Sequence, residues 1–466
     1  MVARLETING FNMTRTSSDP VTLCMADYAC AQSWGSLPEA VRVHTSRAWL
    51  NFVACATGGA LMPSVDAAVT GLLSMGAGEV PSLGRYESTS LPDAALIGSL
   101  AASAHTYDDT HLSTITHPTG PVASAILATA YQLGSVDRPV SGEQMLNALA
   151  IGIELECRVS CAIKAGGANM GWYMTGLSGA IGAAAAVGRL LNLTQPQMVS
   201  ALGLAASQAG GLRAAHGSMA ITFVPGLAAR DGVVAAHLAA ANYACSAIAI
   251  DGRNGLLQVL TGGHDASLIR DQLGERFESL NNAFKPYPCG IVVHPAIDAC
   301  LHLQRTHKLS HQDIAHISLR VHPDALTLCW RKLPETVLDA QVSLYHWVGA
   351  SLVYGAAGIA QGTLESVLDP AVRGLQECVD VVVDPALQDN QAVVKIRLRD
   401  GREVEHFTRD ATGSVTNPMN DEQLAAKFLE LVIPVLGERR ARSLLAKSSD
   451  MANVNSAAEI LQLGAR

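Results

Sequence analysis

A chain of 466 residues, 49% hydrophobic, 16% charged and 5% aromatic, exceeds the size at which one core usually stops growing. Ala, Gly, Leu and Val, not large rings, must fill its interior, which favours closely packed small-residue helices. A formal charge of −9 without any Lys/Arg block excludes nucleic acid and anionic membrane as partners, so a small carboxylate would have to be met by individually placed cations.

Residues Met1 to Asp19 contain no apolar run, and the ten cysteines form no CxxC pair, which predicts a reduced, cytoplasmic protein. From Val21 to Gly263 apolar residues recur at helical spacing between Gly, Pro, Ser and Asn stops, predicting one helix after another. Leu37-Pro38-Glu39-Ala40-Val41 is a helix start, with Pro in the first turn and Glu at the positive end of the dipole. Ser141-Gly142-Glu143-Gln144 and Thr194-Gln195-Pro196-Gln197 begin two more. Thr175 to Leu193 is the most apolar stretch, yet Arg189 and its Gly/Ala content suit a buried helix and not a membrane span.

The texture then changes. Ile314 to Val321 alternates polar and apolar residues, as do Ala392 to Leu398 and Glu403 to Phe407, two arms flanking an Asp400-Gly401 hairpin turn. With Val379 to Val383 these predict at least four strands mixed with helices. Asp421 to Leu436 and Ala457 to Leu463 return to helix and should pack back on the amino-terminal half. The predicted fold is therefore mainly α with a smaller α+β domain: an all-helical domain over 1–268 and 408–466, and an α+β domain over 269–407.

No phosphate loop, HExxH or GxSxG motif occurs, and Gly76-Ala77-Gly78 leads to Pro81 instead of a helix start, which disfavours a dinucleotide site. Three segments carry chemistry. His105 to Gly120 packs two carboxylates, three imidazoles and several hydroxyls between two apolar helices; it reads either as a site or as a solvated, capped loop. A metal is not expected there, because no spaced further ligand is evident. Phe284-Lys285-Pro286-Tyr287-Pro288-Cys289-Gly290 pins a lysine beside two prolines, as a rigid linker or as a cleft amine whose pKa desolvation would lower. Gly166 to Gly176 could receive a carboxylate on backbone N–H groups, or simply pack helices closely.

Together these segments resemble the MmgE/PrpD family over nearly the whole chain. The marks are Asp108-Asp109-Thr110-His111 with His117-Pro118, Gly171-Trp172 with Thr175, Gly226 with Ala228-Ala229-Arg230, and Lys285-Pro286-Tyr287-Pro288-Cys289. The resemblance implies a helical domain, an α+β lid over 269–407, a homodimer, no cofactor and a site between the domains. Many relatives have Asp at Thr106, His at Tyr173 and a Lys-Pro-Leu-His run at Ile221-Thr222-Phe223-Val224. Loss of a cation at Ile221 argues against tricarboxylate chemistry.

The branch it resembles is therefore that of the iminodisuccinate epimerases, which move a proton next to a carboxylate of a small dicarboxylate. On that reading Lys285 and Tyr173 are the opposed catalytic pair, and His117 binds carboxylate or relays a proton. Asp109 orients His117, while Asp108, Thr110, His111, Arg158 and Arg213 complete substrate binding. Two alternatives stay open: a lyase that dehydrates or decarboxylates a polycarboxylate such as 2-methylcitrate or cis-aconitate, and a non-catalytic binding protein on the same fold.

Overall fold

In a computed structural model that describes residues 20–135, 137–169, 171–262 and 265–466, helices succeed one another through the amino-terminal half. The segment Met1 to Asp19 lies outside the described residues, as do Met170 of the glycine-rich loop and the boundary residue Gly263. The long helices are α1 (Val21–Ala31), α2 (Glu39–Gly59), α3 (Pro63–Leu73), α4 (Leu91–Ser103), α5 (Thr119–Gly134), α6 (Gly142–Ala165), α7 (Met174–Leu190), α8 (Gln195–Ala206) and α9 (Ala220–Ala240).

Their starts have local causes. Pro38 precedes Glu39 at the head of α2. At α6 the Gln144 N–H donates to the Ser141 hydroxyl while the Gln144 side chain accepts from the Ser141 N–H at 2.9 Å, a reciprocal cap. Thr194 and Gln197 repeat the arrangement at α8. The apolar stretch predicted from Thr175 forms α7, which is buried along nearly its whole length. Among the described residues no single helix is long and apolar enough to cross a membrane.

Small residues set how closely these helices cross. A Cβ on Gly152 of α6 would stand 2.5 Å from Val122 Cγ1 and 2.7 Å from the Gly182 carbonyl of α7, and a Cβ on Gly182 would stand 2.7 Å from the Gly152 carbonyl. Glycine at both positions lets the two backbones meet, which a helix of larger residues could not do.

The strands appear in two kinds of place. β1 (Val80–Pro81) pairs with β2 (Ser88–Thr89), and β3 (Asp109–His111) pairs with β4 (Asn282–Phe284). β5 (Ile314–Val321), β6 (Val379–Val383), β7 (Ala392–Leu398) and β8 (Glu403–Thr408) form one sheet in the order β6-β5-β7-β8, with β5 and β6 parallel and the other pairs antiparallel. Gly401, at φ +89°, makes the predicted hairpin turn. Ile317, Leu319, Val394 and Ile396 of this sheet share a core with Ile297 and Cys300 of the helix His294–His307 and with Trp347 of the helix Leu344–Tyr354. The helix Asp421–Leu436 then returns to the amino-terminal half, where Leu424, Phe428 and Leu431 join Trp49, Phe52 and Leu146 in one core. The architecture is mainly α with a smaller α+β part. One segment differs from its expected form: the connection between α4 and α5 is not only loop, because β3 interrupts it.

Gly152→Ala should cost about 1–3 kcal/mol, the usual penalty for overpacking a tight crossing. Urea unfolding of the variant should show a lower midpoint with an unchanged slope, and an unshifted midpoint would contradict the close approach.

Candidate active site

The β3–β4 ladder joins two segments far apart in sequence. Asp109 pairs with Phe284, Thr110 with Ala283 and His111 with Asn282, so the next residues outward, Asp108 and Lys285, become neighbours. Lys285 Nζ donates to Asp108 Oδ1 at 3.1 Å and to the Thr106 carbonyl at 3.1 Å, with Lys285 only 1% exposed. Burial alone would raise the Asp108 carboxyl, but the Lys285 ammonium and His117 outweigh it and hold the carboxyl below its ordinary range.

Behind this pair stands Lys427. Its ammonium donates to Asn51 Oδ1 at 2.7 Å, to the Tyr107 carbonyl at 2.7 Å and to the Lys285 carbonyl at 2.8 Å, and lies 3.9 Å from the centre of the Tyr107 ring. The main chain on both sides of the ion pair is thereby fixed. The Tyr107 hydroxyl adds a bond to the Pro286 carbonyl at 2.8 Å. Burial lowers the Lys427 pKa to about 8. No motif flags Lys427, but it occupies a helical stripe with Leu424, Phe428 and Leu431, and a lysine on an apolar stripe is a readable anomaly.

Side chains alternate along a strand, and this sorts the candidates. Asp108 and Thr110 line a cavity of about 90 Å³, together with His117, Tyr173, Arg213 and Lys285. Asp109 and His111 point away from it. The Asp109 carboxylate accepts from the Thr119 hydroxyl and the Asn282 amide, and burial raises its pKa to about 6. Asp109 meets His117 through its main chain: His117 Nδ1 donates to the Asp109 carbonyl at 2.8 Å. The carboxylate nearest that ring belongs to Asp108, at 3.6 Å, and Thr110 Oγ1 lies 3.2 Å from Nδ1. Burial lowers the His117 pKa. With Nδ1 donating to that carbonyl, any proton exchange by His117 falls to Nε2.

Tyr173 ends the glycine-rich loop and caps α7 with its ring centre 6.0 Å from that of His117 and 5.9 Å from that of His216. Burial, reinforced by the Asp108 charge, raises its phenol well beyond the ordinary value. Gly176 of the same loop packs closely against Gly210 and Val224. Ile221 and Val342 give the cavity an apolar wall.

Two expected substrate ligands stand elsewhere. Arg158 is fully buried: its Nε donates to Glu154 Oε1 at 2.6 Å, and its other nitrogens donate to main-chain carbonyls that include Ile269 at 3.0 Å and Asp271 at 2.8 Å. It anchors the chain after α9 and does not line the cavity. His111 faces Glu278 across 3.6 Å on the far side of β3. His216 and Gln341, which no sequence pattern marked, do line the cavity. Gln341 accepts from the Thr106 hydroxyl at 2.9 Å and donates to the Ala104 carbonyl at 3.0 Å, so it ties the α+β part to the His105–Gly120 segment.

Comparison with known proteins gives a consistent result. The MmgE/PrpD N-terminal domain matches residues 24–269, and the MmgE/PrpD C-terminal domain matches residues 287–451. Cis-aconitate decarboxylase of Aspergillus terreus (strain NIH 2624 / FGSC A1156) is 26% identical over 93% of this chain and 94% of its own length. A cis-aconitate decarboxylase-like protein of Aspergillus oryzae is 25% identical over 97% and 98%. Human cis-aconitate decarboxylase is 26% identical over 72% and 71%.

Acid should destabilise this chain. Burial lowers His44, His111 and His216 to about 4 and His294 to about 3, and shifts His105, His117, His237, His346 and His406 in the same direction. The unfolded chain therefore binds protons first, and stability present above about 6.5 is lost as pH falls toward 4. Asp109, Asp231 and Glu156, with raised carboxyls, act with the opposite sign but are outnumbered. The urea midpoint should be lower at about pH 5 than at about pH 7.5; equal midpoints would contradict the burial of these imidazoles.

Proposed function

Because the chain belongs to the MmgE/PrpD family, we propose that it is a lyase that removes carbon dioxide from a small polycarboxylate, cis-aconitate or a close chemical analogue, and protonates the carbanion left behind. The observation that carries this reading is that the two side chains expected to act as a pair both line the cavity. Lys285 Nζ donates to Asp108 Oδ1 at 3.1 Å, and burial holds the Tyr173 phenol on its protonated side. Decarboxylation breaks a C–C bond, leaves the electron pair on the substrate and consumes one proton. Two donors on one cavity suit that step.

The cavity wall supports the same reading. Arg213 and Lys285 supply cationic partners for two carboxylates. The departing carboxylate needs no such partner, since its negative charge passes to the substrate carbon with the electron pair as the bond breaks. Placing it against Ile221 and Val342 removes its water and favours the uncharged product. The low identity to the fungal and human decarboxylases leaves the substrate's exact carbon skeleton to the walls of this cavity.

A second reading is the epimerase of a dicarboxylate such as iminodisuccinate. It is favoured by Ile221, an apolar residue on the wall where the resemblance placed a lysine, because a dicarboxylate needs one cation fewer. Epimerisation also needs one member of the facing pair to arrive without its proton. Lys285 would have to surrender a proton while buried against Asp108, or His117 would have to take the part of base.

Incubation with cis-aconitate in deuterated water should release carbon dioxide and place one deuteron in each product molecule. Stereochemically pure iminodisuccinate should keep its optical activity and take up no label; inversion with label uptake, and no reaction of cis-aconitate, would replace the lyase by the epimerase. Tyr173→Phe, which removes one oxygen from a buried ring, should lower turnover of the reactive substrate by about 10²–10⁴-fold with no loss of secondary structure by circular dichroism. Full turnover in that variant would remove Tyr173 from the mechanism.

A further inference from the structure

On the side of β3 away from the cavity, His111 closes a hydroxyl chain whose direction is fixed at its far end. Ser178 donates to the Met174 carbonyl at 3.1 Å, so Ser160, at 2.8 Å, must donate to Ser178. Thr116 donates to Ser160 at 2.9 Å, and Thr114 donates to Thr116 at 2.9 Å. With its own proton spent, Thr114 Oγ1 accepts from His111 Nδ1 at 2.8 Å. The Ser113 hydroxyl lies 3.4 Å from the same nitrogen, so Nδ1 has its partners on this side and Nε2 is the nitrogen turned to the other.

Nε2 is buried, has no hydrogen-bond partner among the described residues, and faces Glu278 Oε2 at 3.6 Å, an oxygen that also accepts from Asn281 Nδ2 at 3.0 Å. Two acceptors pointed at one another repel unless a cation stands between them. The third member of the cluster is Cys161 on α6, whose Sγ lies with His111 and Glu278 in a group of ligand atoms all within 4.8 Å of one another.

We propose that His111 Nε2, Cys161 Sγ and Glu278 Oε2 form a binding site for a borderline-soft divalent cation of the zinc type. Imidazole, thiolate and carboxylate are the donors such an ion takes, and three protein ligands leave a fourth position for water. Ligands at ~2.0–2.3 Å from one ion sit roughly 3.3–3.8 Å apart, so the cluster must tighten by about 1.5 Å at most. Binding displaces the Cys161 proton. Thiolate and carboxylate balance the charge of the ion, while Arg276 remains paired to the other Glu278 oxygen. The three ligands come from β3, α6 and the turn entering β4, so an ion here would fasten the ladder that aligns Asp108 with Lys285. No motif spacing signals this set, because only the fold brings its members together.

The full-length protein, stripped of metal with a chelator, should be titrated with Co²⁺ and then competed with Zn²⁺. One Co²⁺ per chain should bind, produce a thiolate-to-metal charge-transfer absorption and raise the melting temperature, while Mg²⁺ does neither. Cys161→Ser, a one-atom change at a half-buried helix position, should abolish the charge-transfer band. His111→Gln should weaken Co²⁺ binding by about tenfold or more. Absence of the band in the unaltered protein, or its survival in Cys161→Ser, would overturn the site; undiminished affinity in His111→Gln would overturn the ligand set.

Discussion

A ladder of three residue pairs holds the candidate site together. Without the pairing of Asp109–His111 with Asn282–Phe284, the Asp108 carboxylate and the Lys285 ammonium would belong to different parts of the chain. Each would then be a buried charge without a partner, which a protein interior does not tolerate. The ladder is too short to be stable by itself. It depends on what surrounds it: Lys427 bonding the carbonyls on either side of the ion pair, Gln341 reaching across from the α+β part, and the Gly/Ala helix crossings beneath.

Much of this fold is legible in the sequence because its signals are local. Reciprocal caps at Ser141 and Thr194, the Asp400-Gly401 turn and the alternation from Ile314 to Val321 each describe a few neighbouring residues. The Asp108 to His111 quartet is also visible as chemistry. What cannot be seen is which of the four face the cavity, since that requires knowing that they lie on a strand. Once β3 is recognised, its two-residue period assigns Asp108 and Thr110 to the cavity and Asp109 and His111 to the interior. Arg158 escapes the sequence for another reason. Its carbonyl partners follow α9 by position but reach α6 only through tertiary packing.

The cavity itself is mixed in character. The paired charges of Lys285 and Asp108 line it with His117 and Tyr173, and so do the apolar side chains of Ile221 and Val342. Such an arrangement holds polar groups at a distance from bulk water, where their electrostatic influence on a bound anion is stronger than at an exposed surface. In a site of this kind a group keeps the proton its neighbours favour, and the neighbours here are fixed by the scaffold.

Lys427 has one more consequence, for biosynthesis. The donor that secures the carbonyls of Tyr107 and Lys285 is borne by the helix Asp421–Leu436, near the end of the chain. A nascent polypeptide can form its early helices while still tethered to the ribosome, but it carries Tyr107 and Lys285 for some time before that lysine emerges. A chain stopped before residue 427 would therefore carry Tyr107 and Lys285 without the ammonium that fixes their carbonyls.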